Sequence, residues 1–257
     1  MASTTATRTT STATIIPTSM GMATTITTAM APAIAMIDLF RLLTWISPAY
    51  PVGGFSYSHG LEMAVEEGAV TTRAALQSYI GTVLLAGAGR VDAALLVAAH
   101  RAASDDTALD EVAELASAWR GTAETALEAT QQGGSFASIT NTTWPNPAFA
   151  AFTARHPGRL THAVAFGAAA GFHGVALRPT LIAWLSGFAA NLVSAGVRLV
   201  PLGQTDGQRV TAALFPIIEQ AADAAQAATL DTLGTAAPML DQFSLRHETQ
   251  YTRLFRS

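Results

Sequence analysis

The chain of 257 residues contains no cysteine and no lysine. The first absence excludes disulfides, Cys-ligated zinc, iron–sulfur clusters and thiol catalysis, and leaves the compartment open. The second excludes a Schiff-base mechanism and a lysine-bearing phosphate loop. All 14 basic residues are therefore arginine, which suits planar, bidentate contacts. Charge is scarce at 12% of residues, with a net charge of −4 and a pI near 5.8. No basic stripe marks a nucleic-acid or anionic-membrane footprint. The signatures GxGxxG, GxxxxGK[ST] and GxSxG are missing. So are HExxH, HxH and any histidine-rich tract, so a built-in metal cage is not expected. What is present is apolar: half the residues, enough for a sizeable core in a chain of one large or two small domains.

Residues 1–35 are rich in Thr, Ser, Ala and Met, with Arg8 the only charge. Such a segment cannot bury enough surface to offset its ordering entropy. It reads as a disordered extension. A translation start at Met20, Met22, Met30 or Met36, or a transit-like peptide, is the alternative.

From Ile37 the apolar spacing is helical, and no sustained period-2 alternation is visible, so the fold class is all-α, a compact multi-helix bundle. Leu39, Leu42, Leu43 and Ile46 recur at i, i+3, i+4, i+7. Leu61, Ala64 and Val65 open a short helix that Gly68 can end. Thr71 or Thr72 caps a long segment, Arg73–Ala103, in which Gly87 and Gly89 suggest a break or a close helix contact. Asp105 and Asp106 read as caps for 109–119. Gln131–Pro147, with its Gly-Gly, Asn and Pro residues, reads as a loop between two helical halves. A second run covers Arg159–Gly174, and Pro179 suits the first turn of a helix ending at Leu199. Thr205 to Gln208 has the spacing of a capping box for a helix reaching about Ala228. Pro179–Val197 carries no charge over 19 positions. That is long enough to span a membrane. It lacks an aromatic belt and holds Ser186, Gly187, Asn191, Ser194 and Gly196, which favours a buried central helix. A membrane-embedded protein is the alternative.

Two stretches concentrate chemistry. The first is Ser47–Glu62, SPAYPVGGFSYSHGLE. Its prolines and glycines prevent a helix over 48–54 and leave Phe55, Ser56, Tyr57, Ser58 and His59 as a strip at the entry to the next helix. Ser56 or Ser58 with His59 offers a nucleophile and a base, so a small hydrolase is a second alternative. It would also need an orienting carboxylate and an oxyanion hole. The second stretch is Asp241–Ser257, DQFSLRHETQYTRLFRS, which mixes arginines with aromatics. It is either a last helix folded on the body or a tail that orders against a partner. His162 and His173 lie three turns apart, roughly 16 Å, too far to share a metal. His156 falls in a loop and His100 near a helix C-terminus.

Three ordered motifs, SPAYPVGGFSYSHGLE with EEGAV at 66–70, PLGQTDGQ at 201–208 and HETQYTRLFRS at 247–257, resemble the urease accessory protein UreF family over about Leu39–Ser257. Tyr50 stands where the family usually has an aliphatic residue, and Gly54 where it often has Ala. The resemblance implies a non-enzymatic, cytoplasmic, dimeric scaffold for nickel incorporation into urease. It implies binding to UreD (also called UreH), recruitment of the GTPase UreG, and action on apo-urease, with GTP hydrolysis coupled to nickel delivery. No cofactor is held firmly, and nickel is handled by the complex. The expected partner-binding residues are Ser56, Tyr57, His59 and Glu62 in the first motif, Gln204 and Gln208 in the second, and Tyr251, Arg253, Phe255 and Arg256 in the tail. One helical domain over 36–257 is expected to carry them, with the tail beginning at about 241.

Overall fold

The computed structural model describes residues 34–257. The extension expected at 1–35 lies, apart from its last two residues, outside the described residues. Among the described residues the secondary structure is helical, with no strand.

The chain enters α1 (Met36–Trp45), which buries Leu42 and Trp45. The Pro48–Gly54 stretch breaks the helix as its residues require. Gly53 sits at φ 76°, in the left-handed region that favours glycine, and one 3-10 turn follows at Gly54–Ser56. Next come α2 (Leu61–Glu66) and α3 (Arg73–Leu85). Thr72 caps α3 by accepting the Ala75 amide at 3.2 Å. The break expected near Gly87 is real, because α4 (Ala88–Arg101) starts afresh after it. Asp105 caps α5 (Asp106–Ala118) by accepting the Ala108 amide at 3.1 Å.

Three expectations need correction. Gln131–Pro147 is not a loop. It is mostly the second half of α6 (Ala123–Thr143), and only Trp144–Asn146 join it to α7 (Pro147–Arg155). The Gly-Gly pair is a packing feature. A Cβ on Gly133 would stand 2.0 Å from the Leu160 carbonyl oxygen, at the entry to α8 (His162–Phe172). Second, the fully buried apolar helix is α8, whose residues 163–170 are all buried. The longer α9 (Leu177–Leu199) is long and apolar enough to cross a membrane by composition, yet half of its most apolar window is buried against the body. Third, Thr205 is not a cap. α10 (Gln204–Ala227) starts two residues before such a cap would place it, with no side-chain cap at Gly203. α11 (Pro238–His247) closes the helical series and leads into the tail.

α8 is the axis on which α4, α6, α9, α5 and α7 pack. Its approach to α4 depends on Gly167, where a Cβ would lie 2.4 Å from the Leu96 carbonyl oxygen. Small side chains let backbones approach, and the core gains density that larger residues would forfeit. Near the middle of α8, Phe166 packs with Trp45 and Phe136 at centroid distances of 5.5 and 5.3 Å. Three helices are pinned there at once, which holds α6 in register with the strip that follows α1.

Candidate functional site

The first and last motifs of the sequence meet in space. The Ser58 amide donates to the Ser257 carbonyl oxygen at 2.7 Å, and the Arg256 amide to the Ser56 carbonyl at 2.8 Å. The Ser58 hydroxyl also donates to the Ser257 carbonyl. Glu62, on α2, is the main anchor. Its carboxylate accepts the amides of Leu254 at 2.7 Å and Phe255 at 2.9 Å. The Phe255 ring is buried at 4% exposure, with the Arg198 guanidinium 4.3 Å from its centroid. Arg198 in turn donates to the Phe55 carbonyl at 2.9 Å, so α9 joins the same seam.

A histidine and three glutamates underlie the tail. His247 is fully buried, with Nδ1 2.8 Å from Glu124 Oε2 and Nε2 3.0 Å from Glu62 Oε2. Arg253 donates to the other oxygen of Glu124 at 2.9 Å. One helical turn on, Glu128 faces His59 Nδ1 at 3.3 Å and accepts the Ser257 hydroxyl at 3.0 Å. His59 is at φ 56°, a conformation uncommon outside glycine. Its carbonyl is fixed by the Tyr79 hydroxyl at 2.9 Å. Burial pulls the His59 imidazole down. The charge and hydrogen bond of Glu128, with Asp92, outweigh that and hold it above its ordinary value. Burial raises the Glu124 carboxyl, and His247 and Arg253 only partly offset it.

Behind His59 lies a cavity of about 30 Å³ bounded by Asp92, Arg120, Glu128, Gln132, His162 and Trp184. Asp92 and Arg120 pair at 2.9 Å. His162 Nε2 and Trp184 Nε1 have no partner there, and burial pushes the His162 imidazole down to about 4. The cavity is roomy enough for a water. The other histidines are engaged: His100 and His173 with the carbonyls of Val175 and Trp144, His156 with Asp110. Among the described residues no group of three or more acidic or histidine side chains has the arrangement to hold a metal ion.

The residues singled out from sequence fall into two sets. Tyr57, His59, Glu62 and Phe255 are buried, Ser56 is half-buried, and Tyr251, Arg253 and Arg256 are exposed. The Ser-Tyr-Ser-His strip is thus not presented to solvent, because the tail covers it. Ser58 is bonded to the tail and His59 to Glu128, so these two are not paired as a nucleophile and base. Gln204 and Gln208 are exposed at the start of α10. No hydrogen bond or ion pair links them to the tail among the described residues. Sequence reasoning missed Glu124 and Glu128. Their signal was available: Glu124, Glu128 and Gln132 recur at every fourth position, one face of a helix.

These features define a class: an all-helical chain whose end folds back over the turn that follows its first helix. The UreF family model matches residues 70–215. A urease accessory protein UreF of Granulibacter bethesdensis is 57% identical over 221 residues, covering 85% of this chain and 94% of that protein. One from Rhodopseudomonas palustris is 50% identical over 235 residues, covering 90% and 97%. One from Methylorubrum populi is 50% identical over 224 residues, covering 86% and all of its length. The chain belongs to the UreF family of urease accessory proteins.

Proposed function

We propose that this chain is a non-catalytic scaffold for nickel incorporation into urease, acting in the cytoplasm through its docked tail. The relatives' shared name supports the process. The observation that carries the surface is the way the tail is held. Backbone and buried side chains fasten it inward, while Tyr251 is fully exposed at 103% and Leu254 at 64%. Phe55 projects beside them at 68%. An open groove of about 550 Å³ runs along Glu124, Leu127, Glu248, Arg253 and Arg256. Exposed aromatics and arginines on a rigidly held segment are the residue types that dominate interface energies. The partner in this reading is UreD/UreH, with the GTPase UreG recruited to the pair and apo-urease as the object of the assembly. GTP hydrolysis on the GTPase is coupled to nickel delivery, and nickel is cargo of the complex rather than a resident of this chain.

A homodimer is part of the same reading. α1 leaves Met36, Ile37, Phe40 and Leu43 more than half exposed, an apolar face of the kind that marks a protein contact. Co-expression of the urease operon with and without this chain tests the function, with nickel bound per urease as the measurement. Equal nickel content in both would refute it. Deleting 247–257 is expected to abolish co-purification with UreD, and retained binding would remove the tail from the interface.

A further inference from the structure

We infer that residues 248–257 form a proton-gated latch: His247 holds the tail on the body while its site carries a proton, and loss of that proton frees the tail. The inference rests on the reading above that the tail is the segment partners engage, and adds what governs it.

The argument starts from donors and acceptors. An ionised carboxylate only accepts hydrogen bonds, and a neutral imidazole donates from one nitrogen alone. His247 sits between two carboxylates, at 2.8 Å and 3.0 Å, with no exposure to solvent. Two ionised carboxylates on the two ring nitrogens require both nitrogens to donate. The cluster therefore needs one proton more than a neutral ring and two carboxylates supply. That proton resides on the ring, or on Glu124 with the ring neutral. Without it, a lone pair faces a carboxylate in a site closed to water. A buried charge stripped of its partner is strongly destabilising.

The same carboxylate carries the tail. Glu62 accepts from His247 and, through its two oxygens, from the amides of Leu254 and Phe255. A change at the ring is thus felt directly by the bonds that fasten the last residues. The other charged groups around the clamp do not supply the missing donor. Arg253 is committed to the far oxygen of Glu124, Glu248 to the Ala123 amide, and Arg246 to Glu67 on the surface. Glu128 is taken by His59 and the Ser257 hydroxyl, and Tyr79 by the His59 carbonyl. Opening at the tail is the local remedy, because it hydrates Glu62, Glu124 and the ring together without disturbing α8.

The neighbouring groups push in the same direction. Burial holds the Glu124 carboxyl above its ordinary value. The His59 imidazole, lowered by burial but raised more by Glu128, also ends above its own. A group raised on folding contributes stability that is present below its unfolded value and lost as pH rises through its folded one. Glu124 and His59 therefore both favour the docked tail at lower pH and weaken it at higher pH.

Hydrogen exchange of the full chain, without any partner, tests the latch. The readout is the Leu254 and Phe255 amides from about pH 5.5 to about pH 8.5, the range over which an imidazole titrates. After correction for intrinsic exchange, their opening is expected to rise with pH by up to about tenfold per unit, the limit for one linked proton. The amides of α8 are expected to stay protected throughout. In Glu124→Gln, a side-chain amide either donates to or accepts from Nδ1, so the neutral ring is satisfied. This variant is expected to keep the tail docked and to flatten the profile. Opening that is constant in the wild type, or a rise that Glu124→Gln leaves in full, would overturn the latch. Co-purification after tail deletion is a separate measurement. A pH-gated tail with unimpaired partner binding after deletion would leave the latch standing and sink the interface.

Discussion

The seam around α8 and the seam beneath the tail hold two parts of one molecule by opposite means. At α8 the contacts are Ala, Gly and aromatic carbon, and the approach is set by atoms that are missing, as at Gly133 and Gly167. Beneath the tail the contacts are carboxylates, an imidazole and backbone amides, and the approach is set by charges in a closed space. Shape complementarity of the first kind does not depend on solution conditions near neutrality. Charge complementarity of the second kind does, because one proton decides whether the donors and acceptors match. The difference separates a permanent frame from a segment that can come and go.

The largest effect that would probe the contrast belongs to Gly133. Gly133→Val places a branched side chain where even a Cβ would stand 2.0 Å from a backbone carbonyl oxygen, so α6 must move off α8. Overpacking of this kind costs roughly 3 kcal/mol or more. Gly134, one residue on, has nothing within 4 Å of its own Cβ position. Gly134→Ala is expected to be neutral or to stabilise by up to about 1 kcal/mol through helix propensity. Urea denaturation of the pair compares them; equal midpoints would mean that α6 and α8 do not touch as described.

Phe255→Ala comes next. It removes a buried ring from the tail seam, a change worth about 3 kcal/mol. The loss is expected in tail docking, read as early proteolysis after Arg253, with the melting of the body moved far less. A cooperative collapse of the whole fold would mean that the two seams are one.

His162 gives the frame a pH signature of opposite sign to the tail's. Burial lowers its imidazole to about 4, so its contribution to stability is present above the ordinary histidine value near 6.5 and lost as pH falls through about 4. The full effect is at most about 3 kcal/mol. His162→Phe, among Phe136, Phe166 and Trp184, is expected to flatten the decline in unfolding free energy across that window. An unchanged slope would assign the acid sensitivity elsewhere.

Arg253→Ala is expected to have the smallest effect. Its pair with Glu124 is 41% exposed on the arginine side, so its removal should cost no more than about 1 kcal/mol of tail docking. A larger loss would make the rim, rather than the buried clamp, the chief attachment.

Much of the frame was legible in the sequence because helices announce themselves locally. The apolar spacing in α1, the Thr72 and Asp105 caps, and the break near Gly87 depend on residues a few positions apart. Gly133-Gly134 was misread because the same residue type serves loops and close helix contacts, and only the position of Leu160 distinguishes them. The spacing of Glu124 and Glu128 marks one helix face, but only the position of the tail shows that this face is covered. The clamp itself joins Glu62 to His247 and Leu254 across 185 and 192 residues, a pairing that no local pattern announces. Residues of the first and last motifs meet, and the burial of Tyr57, His59 and Glu62 comes with the other end of the same chain lying over them.

The bond from Ser58 to Ser257 closes a loop of 199 residues, and this bears on the order in which the molecule assembles. Contacts between distant parts of a chain wait on those that are local, because closure entropy must be met before they add anything. The helices around α8 can associate through shorter loops. The tail has nothing to bind until α2 and α6 are both in place, since Glu62 comes from one and Glu124 and Glu128 from the other. Docking of the tail is therefore a late step in folding, and its completion reports that the helices beneath it have been correctly brought together.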